Sequence, residues 1–244
     1  MEDIKITIIT VCYNSEKTIR TTLESVANQS WKKKENIIVD NKSTDKTLSI
    51  IKEYPHVKKI ISEHDKGVYD AMNKGIKIAT GDVIGFLNSD DFYANTKVLS
   101  KVREQFQENS SLDACYADLI YTDQIDTSKI IRYWKSSKFI PGAFSNGWCP
   151  PHPTFFVRRS VYERLGYFNL NYRISSDVEL MMRFIEVNKI CVKYIPEIWV
   201  KMRLGGVSNK SLKNILEQNR DVLRALNDHD LIKNSLGFYL HKII

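Results

Sequence analysis

The chain has 244 residues, 43% of them hydrophobic, which is enough to bury one sizeable core in a single domain. Its 36 Lys and Arg against 29 Asp and Glu give a net charge of +7, which favours phosphorylated ligands, anionic lipid surfaces or nucleic acid. The basic residues are spread along the chain and no common nucleic-acid-binding motif is present, so we expect no nucleic acid partner. The four cysteines form no CxxC pair, which argues against a zinc or redox motif.

The N-terminus shows no basic segment before an apolar one, as a secretory signal would, and leads directly into a predicted strand. No stretch approaches the roughly 18 apolar residues that span a bilayer. We therefore expect a cytoplasmic protein.

The first half of the chain alternates predicted strands and helices. Residues 4–11 are apolar and β-branched, and the next segment places Ile19, Leu23 and Val26 on one helical face. Further strands are predicted at 36–40, 57–62 and 82–87, and further helices near 45–53, 68–79 and 94–107. This alternation predicts an α/β fold with a Rossmann-like, mostly parallel sheet flanked by helices, whose ligands bind beyond the carboxyl ends of the strands.

The second half is less regular. Strands are predicted near 113–120, 128–134 and 153–158, and a helix around 177–187. From residue 211, apolar residues recur at helical spacing and predict a helical extension over 211–244; they are Leu212, Ile215, Leu216, Leu223 and Leu226. Three alternatives stay open for this extension: packing on the main domain, a homodimer contact, or a membrane interface with Lys and Arg facing lipid headgroups.

Polar side chains follow each strand of the first half: Tyr13 and Asn14, then Asp40, then Glu63, His64 and Asp65, then Asn88, Ser89, Asp90 and Asp91. The Asp40 carboxylate can accept hydrogen bonds from a ribose or a base edge, and Asp90 and Asp91 offer hard oxygen ligands for Mg²⁺ or Mn²⁺ on a pyrophosphate. The alternative is that Asp40 ends a strand and that Asp90 and Asp91 cap the next helix.

Five segments occur in the order found in one known family: ITIITVCYN, IIVDNKSTDKT, EHDKGVYDAMNKGI, GDVIGFLNSDD and SSDVELMMRF. Over roughly residues 4–205 the chain resembles the family 2 glycosyltransferases of the GT-A fold, and among them the bacterial enzymes that build O-antigen, capsule or exopolysaccharide repeat units. The resemblance implies a catalytic domain over 1–210, with a nucleotide-sugar-binding half at 1–92 and an acceptor half at 93–210, followed by the C-terminal extension.

The resemblance also implies roles for individual residues. Val11, Tyr13, Asn14 and Asp40 would hold the nucleoside, Asp65 and Lys74 would line its pocket, and NSDD would fill the place of the acidic metal motif. Asn88 replaces the first acid of that motif, so binding of Mn²⁺ or Mg²⁺ would depend on Asp90 and Asp91. Asn88 and Ser89 would lie beside the nucleotide-sugar donor.

The family's catalytic base lies at the start of a helix in the second half, where this chain has Asp177. An ionised Asp177 would take the proton from an acceptor hydroxyl, and in-line attack would invert the anomeric centre. The alternative is that Ser175 or Ser176 caps the helix and that Asp177 only favours the positive end of that helix.

Glu179 is a further candidate, for orienting the acceptor. His152 is a candidate for contact with the acceptor or the diphosphate, although a lone His is more often structural. Arg203 lies in a segment that resembles a Gly-containing flap over the donor and would meet phosphate; an ordinary loop is equally consistent with Gly205 and Gly206.

Together these features predict an inverting enzyme that moves a sugar from a nucleotide diphosphate sugar, a UDP-sugar by family resemblance, to a hydroxyl of a saccharide or lipid-linked saccharide. The setting would be cell-surface polysaccharide synthesis, in the cytoplasm or at the inner face of the membrane. Two alternatives are a catalytically silent nucleotide-sugar-binding protein and a sugar nucleotidyltransferase. The second needs a Gly-rich loop after the first strand, and VCYNSEKTI contains no glycine.

Overall fold

The computed structural model describes residues 3–205 and 212–231. The first half alternates strands and helices as predicted: β1 (Ile6–Cys12), α1 (Ile19–Ala27), β2 (Lys34–Asp40), α2 (Thr47–Lys52), β3 (Val57–Ser62), α3 (Val68–Ile78) and β4 (Val83–Phe86). The four strands pair in parallel in the order β3-β2-β1-β4. All seven residues of β1 are buried, as expected for a strand covered on both faces by helices.

The second half adds short and long strands to the same sheet: β5 (Phe92–Tyr93), α4 (Val98–Glu108), β6 (Ala114–Thr122), β7 (Ile130–Trp134), β8 (Phe156–Arg158), α5 (Arg159–Leu165), α6 (Ser176–Met182), β9 (Val192–Arg203) and α7 (Leu212–Asp228). The sheet continues β4-β8-β6-β9-β5, with β7 on β6. Strand β8 is antiparallel to both neighbours, whereas β9 is parallel to β6, so this half of the sheet is mixed.

Three predictions for the second half need correction. The strand expected over 153–158 covers only β8, because Pro151 and Pro153 direct a 3₁₀ turn over His152–Thr154. The helix expected over 177–187 changes from α6 into a π-helix at Arg183–Val187. Strand β9 and helix α5 were not predicted at all.

The C-terminal stretch packs on the domain where it is described. Val222, Ala225 and Leu226 of α7 belong to the main buried core, which lies between the sheet and α3, α5 and α6. This favours packing among the three alternatives for that stretch, although residue 211 and residues 232–244 of the predicted extension lie outside the described part. In the described residues no helix is both long and apolar enough to cross a membrane.

The amino-terminal edge of the sheet is closed by a buried ionic network around Glu35. Its carboxylate accepts hydrogen bonds from Thr7 Oγ1 at 2.7 Å and from the backbone N–H of Thr80 at 2.9 Å, and it pairs with Lys59 Nζ at 3.0 Å. Burial opposes ionisation, but these bonds outweigh it and lower the pKa of Glu35 to about 2. The network lies at the end of the strands away from the candidate site and is structural.

Candidate functional site

The loop after β1 is fastened to the loop after β2. Asn14, which adopts a left-handed backbone conformation with φ of 48°, accepts a hydrogen bond from the backbone N–H of Thr44 at 2.8 Å and donates its own N–H to Ser43 Oγ at 2.9 Å. This pairing turns Tyr13 outward, where 57% of its surface is exposed. Val11, in contrast, is buried in β1 beside Val39 of β2. An exposed aromatic ring over the strand ends is available to a flat ligand.

Asp40 lies at the carboxyl end of β2 and is fully buried. Its Oδ2 accepts hydrogen bonds from Ser62 Oγ at 2.7 Å and from the Ser43 N–H at 3.1 Å, whereas among the described residues its Oδ1 meets only the Cys12 thiol, at 3.6 Å. Burial, followed by the charge of Asp40, raises the pKa of Cys12 well above its usual range, so Cys12 is a thiol that donates to Oδ1. The Oδ1 atom keeps capacity for a stronger donor.

Asp65 and Lys74 form an ion pair at the end of β3, with Lys74 Nζ 2.5 Å from Asp65 Oδ1 and 2.9 Å from Glu63 Oε1. Partial desolvation opposes the charge on Lys74, but these two carboxylates raise its pKa above the ordinary value. The Asp65 side chain is buried, and within the described chain its Oδ2 has no hydrogen-bond partner. A buried carboxylate oxygen without a donor is costly, which marks Oδ2 as an acceptor for a ligand.

The NSDD loop follows β4. Asp91 is fully buried, and its Oδ2 accepts a hydrogen bond from Asn88 Nδ2 at 3.0 Å, while its Oδ1 lacks a partner in residues 3–205 and 212–231. Burial, and next the charge of Asp90, raise the pKa of Asp91 well above its usual range. Ser89 Oγ lies 2.8 Å from Ser15 Oγ and so ties this loop to the loop after β1.

The donor set of the NSDD loop fits a divalent cation in part. The orphaned Asp91 Oδ1 and the half-buried Asp90 are hard oxygen ligands of the kind that Mg²⁺ and Mn²⁺ prefer. Among the described residues, however, no group of three or more His, Cys, Asp or Glu side chains is arranged to hold a metal. The protein would therefore supply two carboxylates, and the remaining ligands would come from water and the diphosphate.

Arg203, at the end of β9, lies behind this loop. Its Nη1 donates to the Asp90 backbone carbonyl at 2.7 Å, and its guanidinium lies 5.0 Å from the centre of the Phe92 ring. The side chain is buried. In this arrangement Arg203 supports the NSDD loop, and its contact with phosphate stays a prediction; Gly206, part of the predicted flap, lies outside the described residues.

Asp177 lies in the first turn of α6 and is half-buried. The hydroxyl of Tyr69, from α3, is 2.9 Å from its Oδ1. Because α3 also carries Lys74, this one helix connects the ion pair of Lys74 with Asp65 to Asp177. The alternative of a helix-capping role for the preceding serines finds no support, since the Ser175 side chain makes no cap hydrogen bond.

His152 is buried behind Asp177. Its ring stacks on Phe86 with centroids 5.3 Å apart and meets the edge of Phe168 at 5.6 Å. Burial lowers the pKa of His152, opposed by the charge of Asp177, so the imidazole is neutral at neutral pH. Its Nε2 is buried with no partner in the described part of the chain, which keeps a ligand contact open as a prediction.

Glu179 is buried and bonded within the fold. Its buried carboxylate accepts hydrogen bonds from Arg183 Nε at 2.8 Å and lies 2.9 Å from His229 Nε2, just beyond α7. Both oxygens join α6 to Arg183 and to the C-terminal segment, and the contact of Glu179 with an acceptor stays a prediction. Arg183 follows Glu179 by four residues, but the second partner, His229, is 50 residues away and could not be inferred from the sequence.

Tyr69 is the site residue that the sequence analysis missed. Within EHDKGVYDAMNKGI it lies at helical spacing from Met72 and Ile76, which are core residues, and an aromatic residue in that pattern is most simply interpreted as core. Only the contact with Asp177, 108 residues away in sequence, distinguishes it.

Comparison with known proteins identifies the family of the chain. The model of the family described as "Glycosyl transferase family 2" matches residues 7–166, more than half of the chain. A PGL/p-HBAD biosynthesis glycosyltransferase of Mycobacterium tuberculosis is 30% identical over 207 residues, which cover 83% of this chain and 78% of that protein. The Escherichia coli UDP-Glc:alpha-D-GlcNAc-diphosphoundecaprenol beta-1,3-glucosyltransferase WfaP is 27% identical over 232 residues, covering 91% and 86%.

Among solved structures, S. aureus TarS superposes with a TM-score of 0.72 at 21% identity, covering 94% of this chain but only 41% of TarS. A shorter TarS, residues 1–349, solved with UDP-GlcNAc, gives 0.72 at 20% identity, covering 94% and 68%. These likenesses confirm the predicted fold. The chain therefore belongs to glycosyl transferase family 2, and it is a glycosyltransferase with the GT-A fold.

Proposed function

We propose that this enzyme transfers a sugar, with inversion, from a UDP-sugar to a hydroxyl of a saccharide acceptor, with Asp177 as general base. The observation that carries the proposal is a pair of contacts made by helix α3. Tyr69 of α3 contacts Asp177, and Lys74 of the same helix pairs with Asp65 at the strand ends. These contacts support a site in which Asp177, as the proposed proton acceptor, lies close to the proposed nucleotide-binding residues. The division into a donor half at 1–92 and an acceptor half at 93–210 accompanies this proposal.

The donor pocket is proposed to use Tyr13 against the base, Asn14 and Val11 beside it, and the open acceptor atoms Asp40 Oδ1 and Asp65 Oδ2 for the N–H and O–H groups of uridine. WfaP is named for UDP-Glc and TarS was solved with UDP-GlcNAc, which supports a uridine nucleotide here. Asp65→Asn should weaken UDP binding about 10-fold or more by calorimetry, because a hydrogen bond to a charged acceptor is lost. Asp126→Asn, in an exposed turn, is the matched control, and equal binding by both variants would remove Asp65 from the pocket.

For the cofactor we propose Mn²⁺ or Mg²⁺ on Asp90 and Asp91, with Asn88 and Ser89 facing the donor. A cation there would neutralise charge on the departing diphosphate. Adding Mn²⁺ with UDP should raise the Tm of the wild type more than UDP alone, and Asp91→Asn should abolish the difference. The same metal-dependent rise in Asp91→Asn would place the cation elsewhere, and this readout does not depend on activity.

In the transfer step, Asp177 takes the proton of the acceptor hydroxyl as that oxygen forms a bond to the anomeric carbon. The bond from the anomeric carbon to the diphosphate breaks on the opposite face, and the diphosphate leaves with the bonding electrons, so the configuration inverts. Asp177→Asn should abolish transfer while leaving UDP-sugar affinity within about twofold, since only the proton acceptor is removed. Retained turnover in Asp177→Asn would overturn the assignment of the base.

The same experiment separates the silent-binding alternative. If the wild-type protein binds UDP-sugars but transfers sugar to none of the saccharide acceptors tested, the silent-binding alternative is favoured. The nucleotidyltransferase alternative is set aside by the family match over residues 7–166.

We further propose a lipid-linked saccharide acceptor, a role in cell-surface polysaccharide synthesis such as O-antigen or capsule, and attachment to the inner face of the membrane. WfaP, which is named for the acceptor alpha-D-GlcNAc-diphosphoundecaprenol, supports the acceptor class. The surface that suits anionic lipid lies along residues 125–140, where Ile125 is 93% exposed and Ile130 and Ile140 are also exposed. Lys135 and Lys138 are exposed nearby, and the described chain offers neither an ion-pair partner.

Sedimentation with phosphatidylglycerol vesicles at low ionic strength tests this surface. Binding should fall with added salt, which screens the lysines, and should be lost in a variant carrying Ile125→Ser and Ile140→Ser. Absence of binding to vesicles at low salt would remove the membrane proposal. A homodimer stays a separate proposal for the exposed Ile215 and Leu216 of α7, and light scattering of the purified protein decides it.

A further inference from the structure

The contact between Tyr69 and Asp177 joins two parts of the site that are distant in sequence. Tyr69 is buried on α3, and its ring stacks on Phe168 with centroids 5.4 Å apart. The hydroxyl lies 2.9 Å from Asp177 Oδ1 and 2.6 Å from the Ile174 backbone carbonyl. Both are acceptors within hydrogen-bond distance of a group that carries one hydrogen.

We propose that Tyr69 is a positioning residue, which holds Asp177 Oδ1 by an O–H hydrogen bond so that Oδ2 faces the acceptor hydroxyl. The proposal rests on the proposed function, in which Asp177 is the base. It adds that the base is oriented from α3, the helix whose Lys74 also pairs with Asp65 of the proposed donor pocket.

The chemistry of Tyr69 supports a donor role. Burial, and next the charge of Asp177, raise the pKa of Tyr69 well above its usual range, so the hydroxyl stays protonated throughout the working pH range. A hydroxyl that donates to an ionised carboxylate stabilises that form and restricts its rotation. The other titratable groups that interact with this pair are His152, from the turn before β8, and Asp221 on α7.

The segment before Asp177 is also held from α7, independently of Tyr69. Asp221 Oδ2 accepts the Ile174 N–H at 3.1 Å, and Ser175 Oγ donates to the Gln218 carbonyl at 3.3 Å. Because these bonds survive the loss of one hydroxyl, Tyr69→Phe should keep the backbone of this segment while freeing the carboxylate. The Phe ring keeps the stacking on Phe168.

The test compares Tyr69→Phe with Tyr172→Phe. Tyr172 is also a buried tyrosine whose hydroxyl donates to a carboxylate, that of Asp228 at 2.6 Å, but this pair does not touch Asp177. Tyr69→Phe should lower kcat about 10- to 100-fold with the donor KM within about twofold, and the acidic limb of the pH profile should move to higher pH. Tyr172→Phe should leave the limb in place even if it lowers the Tm.

If Tyr69 has only a structural role, Tyr69→Phe should lower the Tm without moving the acidic limb of the pH profile. That result, or a kcat of Tyr69→Phe within twofold of the wild type, would overturn the proposal. Should Tyr69→Phe fail to fold, a fluorotyrosine at position 69 keeps the ring and makes the hydroxyl a stronger donor, so the limb should move to lower pH instead. Asp177→Asn assayed in parallel separates failure of the proposed base from failure of the positioning role of Tyr69. If it is active, the proposed base is wrong; if it is inactive while Tyr69→Phe behaves as wild type, only the positioning role is wrong.

Discussion

Helix α7 offers a sharp test of whether the C-terminal stretch is part of the domain. Leu226 is 0% exposed and lies in the main core, whereas Leu216, ten residues earlier on the same helix, is 70% exposed. The two residues have the same helix propensity, so replacing each by Ala changes only what the side chain contacts. Truncating a buried Leu removes transfer free energy and leaves a cavity, which costs about 2–5 kcal/mol. An exposed Leu should cost less than about 0.5 kcal/mol.

The free energy of unfolding would be measured by urea titration followed by circular dichroism, with thermal melting as a check. For a chain of this size about 1 kcal/mol shifts the Tm by about 2–4 °C, so Leu226→Ala should lower the Tm by at least several degrees. Leu216→Ala should melt like the wild type. Equal losses from the two variants, or a loss below about 1 kcal/mol for Leu226→Ala, would refute the packing of α7 on the core.

Three further predictions concern the framework around the site. The folded-state pKa of Glu35 is depressed to about 2 from 4.5, so its contribution to stability is present above pH 4.5 and is lost as the pH falls towards 2. In Glu35→Gln the free energy of unfolding, measured by urea titration, should therefore depend less on pH over that range. An unchanged pH dependence would contradict this prediction. A Cβ on Gly75 would lie 2.5 Å from Ile9 Cγ2, so Gly75→Ala should cost about 1–3 kcal/mol by urea titration, whereas Lys77→Ala on the exposed side should not. Glu179→Gln should destabilise by about 1–3 kcal/mol with donor KM unchanged, and a raised acceptor KM at wild-type stability would support its predicted contact with the acceptor.

Local sequence patterns determined the first half of the protein. Continuous apolar runs followed by polar residues predicted β1 to β4, their parallel pairing and the position of Asp40, Asp65 and the NSDD loop at one edge, because each element there is specified by residues close in sequence. The family resemblance added Asp177, whose neighbours alone left a role at the helix terminus open.

Tertiary structure decided the features that depend on distant partners. Strand β9 escaped prediction because Pro196 and Glu197 interrupt it, and only its pairing with β6, whose register shifts between Ala117 and Asp118, accommodates them as a bulge. Whether Glu179 faces solvent or Arg183, and whether Tyr69 is core or partner of Asp177, is set by which elements pack together. A side chain's own sequence neighbourhood holds only part of that information: Arg183 is four residues from Glu179, but His229 is 50 residues from Glu179 and Asp177 is 108 residues from Tyr69.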